Sequence, residues 1–100
     1  MELNINRTEN RMVIAPEGRL DTMTAPELDS LVRSSLDGIT ELFFDMKKLE
    51  YISSAGLRVL LTAQKSMNGK GSMVIKGCSS DILEIFDITG FSEILTIREE

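Results

Sequence analysis

Tyr51-Ile52-Ser53-Ser54-Ala55-Gly56-Leu57-Arg58-Val59-Leu60-Leu61 contains the start of an amphipathic helix. An apolar strand, Leu42-Phe43-Phe44, ends at Asp45 a few residues earlier, so the two serines fall where a loop becomes a helix. A helix start presents unpaired backbone N–H groups and the positive end of the helix dipole. Two readings of Ser54 follow. As an N-cap, its oxygen accepts from one of those N–H groups. As a phosphorylation switch, it carries a phosphate whose charge the same groups favour. The residues alone leave both open.

Downstream, the helix is expected over residues 54–67, with Leu57, Leu60, Leu61 and Met67 as its buried stripe. Asn68-Gly69-Lys70-Gly71 stops it. These glycines lack the spacing of a phosphate-binding loop and read as a helix stop followed by a turn. Residues 73–76 form the next strand. Ser79-Ser80-Asp81 opens a third helix through Ile82, Leu83, Ile85 and Phe86, which Gly90 ends. Residues 94–97 read as a last short strand and Arg98-Glu99-Glu100 as a solvated tail.

Upstream, residues 41–46 carry a nearly continuous apolar run, which predicts a central strand covered on both faces. Before it, Thr24-Ala25-Pro26-Glu27 has the capping-box pattern and opens a helix through Leu28, Leu31, Val32 and Leu36, ended by Asp37-Gly38. At the start of the chain, Leu3, Ile5 and Arg7 alternate with polar residues. Glu9-Asn10 marks a turn to a second, antiparallel strand over residues 11–15. Pro16-Glu17-Gly18 is expected to break that strand, with Arg19-Leu20 as a short continuation. The order is strand, strand, helix, strand, helix, strand, helix, strand. After the opening hairpin this alternation implies right-handed parallel crossovers and an α/β fold.

Composition narrows the function. One hundred residues suit one domain, and 42% hydrophobic residues are enough for a core. The net charge of −5 argues against nucleic acid and against an anionic membrane surface, and it permits a basic protein partner. The single cysteine, Cys78, excludes an intrachain disulfide, and the absence of histidine removes the commonest general base and metal ligand. A hydrolase using Ser54 would lack its histidine base. No zinc site of Cys and His is available, and no catalytic or metal-binding set is expected. The N-terminus lacks a basic region followed by an apolar run, and no stretch approaches the roughly 20 apolar residues that span a bilayer. The expected compartment is the cytoplasm.

With this layout, Gly18-Arg19-Leu20-Asp21, Asp45, Tyr51-Ile52-Ser53-Ser54-Ala55-Gly56-Leu57 and Phe86-Asp87-Ile88-Thr89-Gly90-Phe91 resemble the STAS domain. More narrowly, they resemble the small bacterial anti-sigma factor antagonists. The resemblance covers essentially the entire chain, residues 1–100 as one domain, and Ser-Ser-Ala-Gly-Leu is its most specific part. It implies a mixed, mostly parallel sheet opened by an antiparallel hairpin, with helices packed mainly on one face. It also implies a protein-binding switch and not an enzyme, with no cofactor. In that family the unphosphorylated protein binds an anti-sigma factor, often a GHKL-type serine kinase, and frees a sigma factor. The kinase phosphorylates the serine two residues before the glycine, which is Ser54 here, and a PP2C-type phosphatase resets the switch. Many members carry aspartate immediately before the acceptor, where this chain has Ser53. Many have serine or threonine after it, where this chain has Ala55. The alternative is a STAS subunit of another signalling or lipid-transport assembly without a sigma factor.

The implied contact surface comprises Arg19, Asp21, Thr22, Ser53, Ser54, Ala55, Gly56 and Arg58. Each has a plainer reading. Ser53 is either a second acceptor or a turn residue whose hydroxyl bonds locally to backbone. Gly56 permits close approach either to a partner or within the fold. Asp21 and Thr22 either rim the surface or simply start the first long helix. Arg58, four residues beyond Ser54, is its helical neighbour and otherwise an exposed helix arginine. Asp45 is expected to bond to backbone. Cys78 reads as an ordinary small residue beside a helix start, whose dipole lowers a thiol pKa.

Overall fold

The alternation of apolar residues from Arg11 onward produces the longest strand of the sheet. The computed structural model describes residues 1–99. It contains β1 (Glu2–Thr8), β2 (Arg11–Leu20), α1 (Ala25–Ser35), β3 (Glu41–Asp45), β4 (Leu49–Ile52), α2 (Ser54–Met67), β5 (Ser72–Lys76), α3 (Ser80–Thr89) and β6 (Ile97–Arg98). Glu100 of the expected tail lies outside the described residues.

β1 and β2 form the antiparallel hairpin, with Ile5 opposite Ile14. All other pairings are parallel, and the strand order is β1-β2-β3-β5-β6 with β4 beside β2. Pro16 does not break β2. β3 pairs with positions 11–14 and β4 with positions 18–20, so Pro16 falls in the gap where β2 changes partner. A residue without an N–H is tolerated there.

One face of the sheet meets the helices. Met12, Ile14, Leu42, Phe44, Met73 and Ile75 share a core with Leu28 and Val32 of α1, Leu57, Leu60, Ala63 and Met67 of α2, and Ile82 and Phe86 of α3. β3 is central and buried on both faces, as expected. On the face away from the core helices Phe43 is covered by side chains: the Arg11 guanidinium lies 4.5 Å from its ring centroid and the Lys76 ammonium 5.8 Å.

Helix α2 has the expected bounds, but its buried residues are Gly56, Leu57, Val59, Leu60, Ala63 and Met67; Leu61 is half-buried. At the start of α3, Ser79 Oγ accepts from Ile82 N at 3.3 Å, and Gly90 ends the helix in the left-handed region. The last strand is shorter than expected and shifted toward the C-terminus, taking in Arg98 of the expected tail. A 3-10 turn over Phe91–Glu93 draws Leu95 N onto Phe91 O; beyond it Thr96 O accepts from Ile75 N, and Ile97 and Arg98 pair with β5. β4 is the element the sequence pattern misses, and it positions the site.

Candidate partner-binding site

Strand β4 lies parallel to the end of β2, with Tyr51 opposite Arg19 and Ile52 opposite Leu20. The ladder continues one residue further: Ser53 N donates to Leu20 O at 2.9 Å. This bond fixes the start of α2 beside the loop that leaves β2. Arg19, Asp21 and the two serines are thereby brought to one edge of the sheet.

Ser53, not Ser54, is the N-cap, and its side chain makes no capping hydrogen bond. The Ser53 hydroxyl is buried without a hydrogen-bond partner among the described residues. The expected local turn bond is therefore absent, because the oxygen is enclosed and not turned over the helix end. Ser54 is the first residue of α2 and is exposed. The reading of Ser54 as a cap is corrected accordingly. Its hydroxyl is accessible at a helix start, where the dipole favours an anion.

Gly56 is internal. A Cβ there would stand 2.7 Å from Leu20 Cγ and 2.8 Å from Ile52 Cγ1. Of its two readings, close approach within the fold holds, and Gly56 contributes no side of a contact surface.

The loop between β2 and α1 is built on Asp21 and Thr24. Asp21 Oδ1 accepts from Met23 N at 3.0 Å and Thr24 N at 3.1 Å. Thr24 Oγ1 donates to Arg19 O at 2.7 Å and accepts from Asp21 N at 2.9 Å. These bonds replace the expected capping box, since Thr24 makes no side-chain cap to α1. Desolvation pushes the Asp21 carboxyl up, but the N–H groups of Thr24 and Met23, the Thr24 hydroxyl and Arg19 together hold it below its ordinary value. Arg19 Nε stands 3.7 Å from Asp21 Oδ2, and its guanidinium stacks over Tyr51, 4.2 Å from the ring centroid.

The loop presents Met23, which is 86% exposed. Composition gave no signal for it; its exposure follows from the Asp21 bonds that turn its backbone inward. Tyr51 was equally invisible as a surface residue before β4 was known. Thr22, Ala55 and Arg58 line one groove of about 290 Å³ between α1 and α2, together with Pro26 and Val59. Arg58 is exposed there, as expected of a helix arginine.

The remaining candidates lie elsewhere. Asp45 Oδ1 accepts from Lys47 N at 3.1 Å, the expected backbone bond, and lines a separate recess with Asn4 and Glu17. No group of three or more His, Cys, Asp or Glu side chains suited to a metal occurs among the described residues. The Cys78 thiol is pushed up to about 11 by burial, the reverse of a helix-dipole effect. The helix stop is followed by the expected turn, over residues 68–70, with Gly69 at positive φ. Gly71 serves close packing instead: a Cβ there would fall 2.1 Å from Thr40 O. Among the described residues no helix is long and apolar enough to cross a membrane.

The STAS domain family matches residues 2–100 of this chain. The chain is 29% identical, over an alignment of 103 positions, to the anti-sigma-B factor antagonist of Staphylococcus aureus, covering 99% of this chain and 95% of that one. Its fold is similar to that of an anti-sigma factor antagonist from Mycobacterium paratuberculosis, with a TM-score of 0.86 at 18% identity over 96% of this chain and 83% of that one. It is also similar to the Bacillus cell fate determinant SpoIIAA in its phosphorylated form, with a TM-score of 0.79 at 14% identity over 99% and 91% of the two chains.

Proposed function

The chain belongs to the STAS domain family, and from that premise we propose that it is an anti-sigma factor antagonist switched by phosphorylation of Ser54. The unphosphorylated form binds an anti-sigma factor that is also a GHKL-type serine kinase, and a sigma factor is released. The kinase transfers the γ-phosphoryl group of ATP to Ser54 Oγ; ADP leaves and the hydroxyl proton passes to a base of the kinase. A PP2C-type phosphatase hydrolyses the phosphoserine and restores binding. The protein itself acts by contact and not by catalysis.

One observation carries the reading: of two adjacent serines, Ser54 is exposed at the first position of α2 while the Ser53 hydroxyl is buried. The contact surface is formed by Arg19, Asp21, Thr22, Ser54, Ala55 and Arg58, with Ser53 supplying the main-chain anchor. Met23 adds an exposed apolar side chain beside them. Ser54 and the half-buried Ala55 are small, so a partner can pack closely at the start of α2. A phosphate adds about −1.5 to −2 charges at pH 7. Burying that charge against a partner is costly unless the partner supplies cations.

The test is incubation with the purified anti-sigma kinase and ATP, followed by mass spectrometric location of the phosphate. A single phosphate on Ser54, lost in Ser54→Ala, is expected. Phosphate on Ser53 with none on Ser54 overturns the assignment.

A further inference from the structure

Residues 80–93 contain Asp81, Glu84, Asp87 and Glu93 and no lysine or arginine, so four of the five net negative charges of the chain fall within α3 and the turn after it. All four side chains are exposed. The ion pairs among the described residues, Arg19–Asp21, Arg33–Asp29 and Lys47–Asp45, involve none of them. Ile88, on the same helix, is 78% exposed, and Ile94, just beyond the turn, is 49% exposed. Asp81, Glu84 and Ile88 follow the i, i+3, i+7 spacing that places residues on one helix face. Ile82 and Phe86 occupy the opposite, buried face.

An exposed isoleucine alone needs no explanation. Here it is set among uncompensated carboxylates of one sign, and that combination specifies its complement. We infer that the outer face of α3 is a docking surface for a basic amphipathic helix of a protein partner, with an apolar stripe flanked by lysine or arginine. The carboxylates steer and orient such a helix, and Ile88 packs against its apolar stripe. A second copy of this chain brings the same acidic face and is repelled. Anionic lipid and nucleic acid are repelled for the same reason.

The surface is separate from the start of α2. α2 begins at the C-terminal end of β4 and α3 follows the C-terminal end of β5, so both helices start at the same edge of the sheet. α3 then runs back for ten residues, about 15 Å at 1.5 Å per residue, so Ile88 lies toward the opposite edge. The apolar centre of the surface, Ile88, is thereby set apart from Ser54.

The test uses a synthetic amphipathic helix of leucine and lysine as the probe, titrated into the full 15N-labelled chain and followed by amide chemical shifts. Shifts at residues 84, 87, 88, 93 and 94 are expected, with residues 51–58 unmoved. Ile88→Asn, at an exposed position, should weaken binding roughly tenfold through the lost apolar contact. Removal of two carboxylates elsewhere, in Glu2→Gln with Glu9→Gln, should leave affinity unchanged. Unchanged affinity in Ile88→Asn, or shifts spread over all acidic positions, overturns the proposal. Concentration-dependent shifts at Ile88 and Ile94 without probe also overturn it, in favour of self-association.

Discussion

At the scale of single residues, Ser53 and Ser54 have opposite surroundings because the β2–β4 ladder ends between them. Ser53 is tied by its N–H to Leu20 O and its hydroxyl is enclosed; Ser54 begins the helix in solvent. Ser53→Ala should therefore leave stability unchanged or slightly raised, since it removes a buried hydroxyl without a partner. A loss of about 0.5–2 kcal/mol in chemical denaturation would instead mark a working cap. Asp21 gives a pH-dependent prediction. Its folded pKa is lowered from an ordinary 3.8, so its contribution is fully present above that value and is lost as pH falls through the lower folded value. The stability difference between the wild type and Asp21→Asn should shrink as pH falls from 5 toward 2, as read from urea midpoints. A difference that stays constant over that range would contradict the assignment. That Ser54 opens α2 was legible from the helix pattern, but the pattern did not separate a cap from an accessible hydroxyl. The burial of Ser53 was not legible, because it depends on a pairing between residues far apart in sequence.

At the scale of elements, close backbone approach decides two glycines with different consequences. A Cβ on Gly56 meets side-chain atoms of Leu20 and Ile52, which can shift by rotation, whereas a Cβ on Gly71 meets the Thr40 backbone 2.1 Å away. Gly56→Ala should cost about 1–3 kcal/mol, the usual range for overpacking, and Gly71→Ala more than Gly56→Ala. Thermal and urea unfolding of both variants would check the order, and a reversed order would contradict it. α2 was readable to the residue because its apolar period runs for four turns between a loop and a glycine stop. β4 was not: Leu49-Glu50-Tyr51-Ile52 is buried at both ends and exposed between, so it shows neither alternation nor a continuous apolar run. The capping-box pattern at Thr24 was equally misleading. The Thr24 hydroxyl is engaged by Arg19 O and Asp21 N, so a tertiary loop outcompetes the local motif.

At the scale of the whole molecule, the sheet separates the surfaces the chain offers. Its helix-bearing face builds the core, and its C-terminal edge carries the Arg19–Asp21 loop, Met23 and Ser54 together. That convergence explains why residues 19–22 and 53–58, distant in sequence, form one candidate surface. The opening antiparallel hairpin and the parallel pairing of the later strands were evident from the order of elements; the strand order was not, because the pattern hides β4. The juxtaposition at its edge required β4. The central claim is that Ser54 lies within the partner interface and that charge there dissociates the complex. Isothermal titration of the anti-sigma partner with the wild type, Ser54→Ala, Ser54→Asp and the Ser54-phosphorylated protein tests it most directly. Wild type and Ser54→Ala should bind with equal affinity, Ser54→Asp more weakly, and the phosphorylated form most weakly of all. Equal affinities for all four forms would place Ser54 outside the interface and contradict the switch.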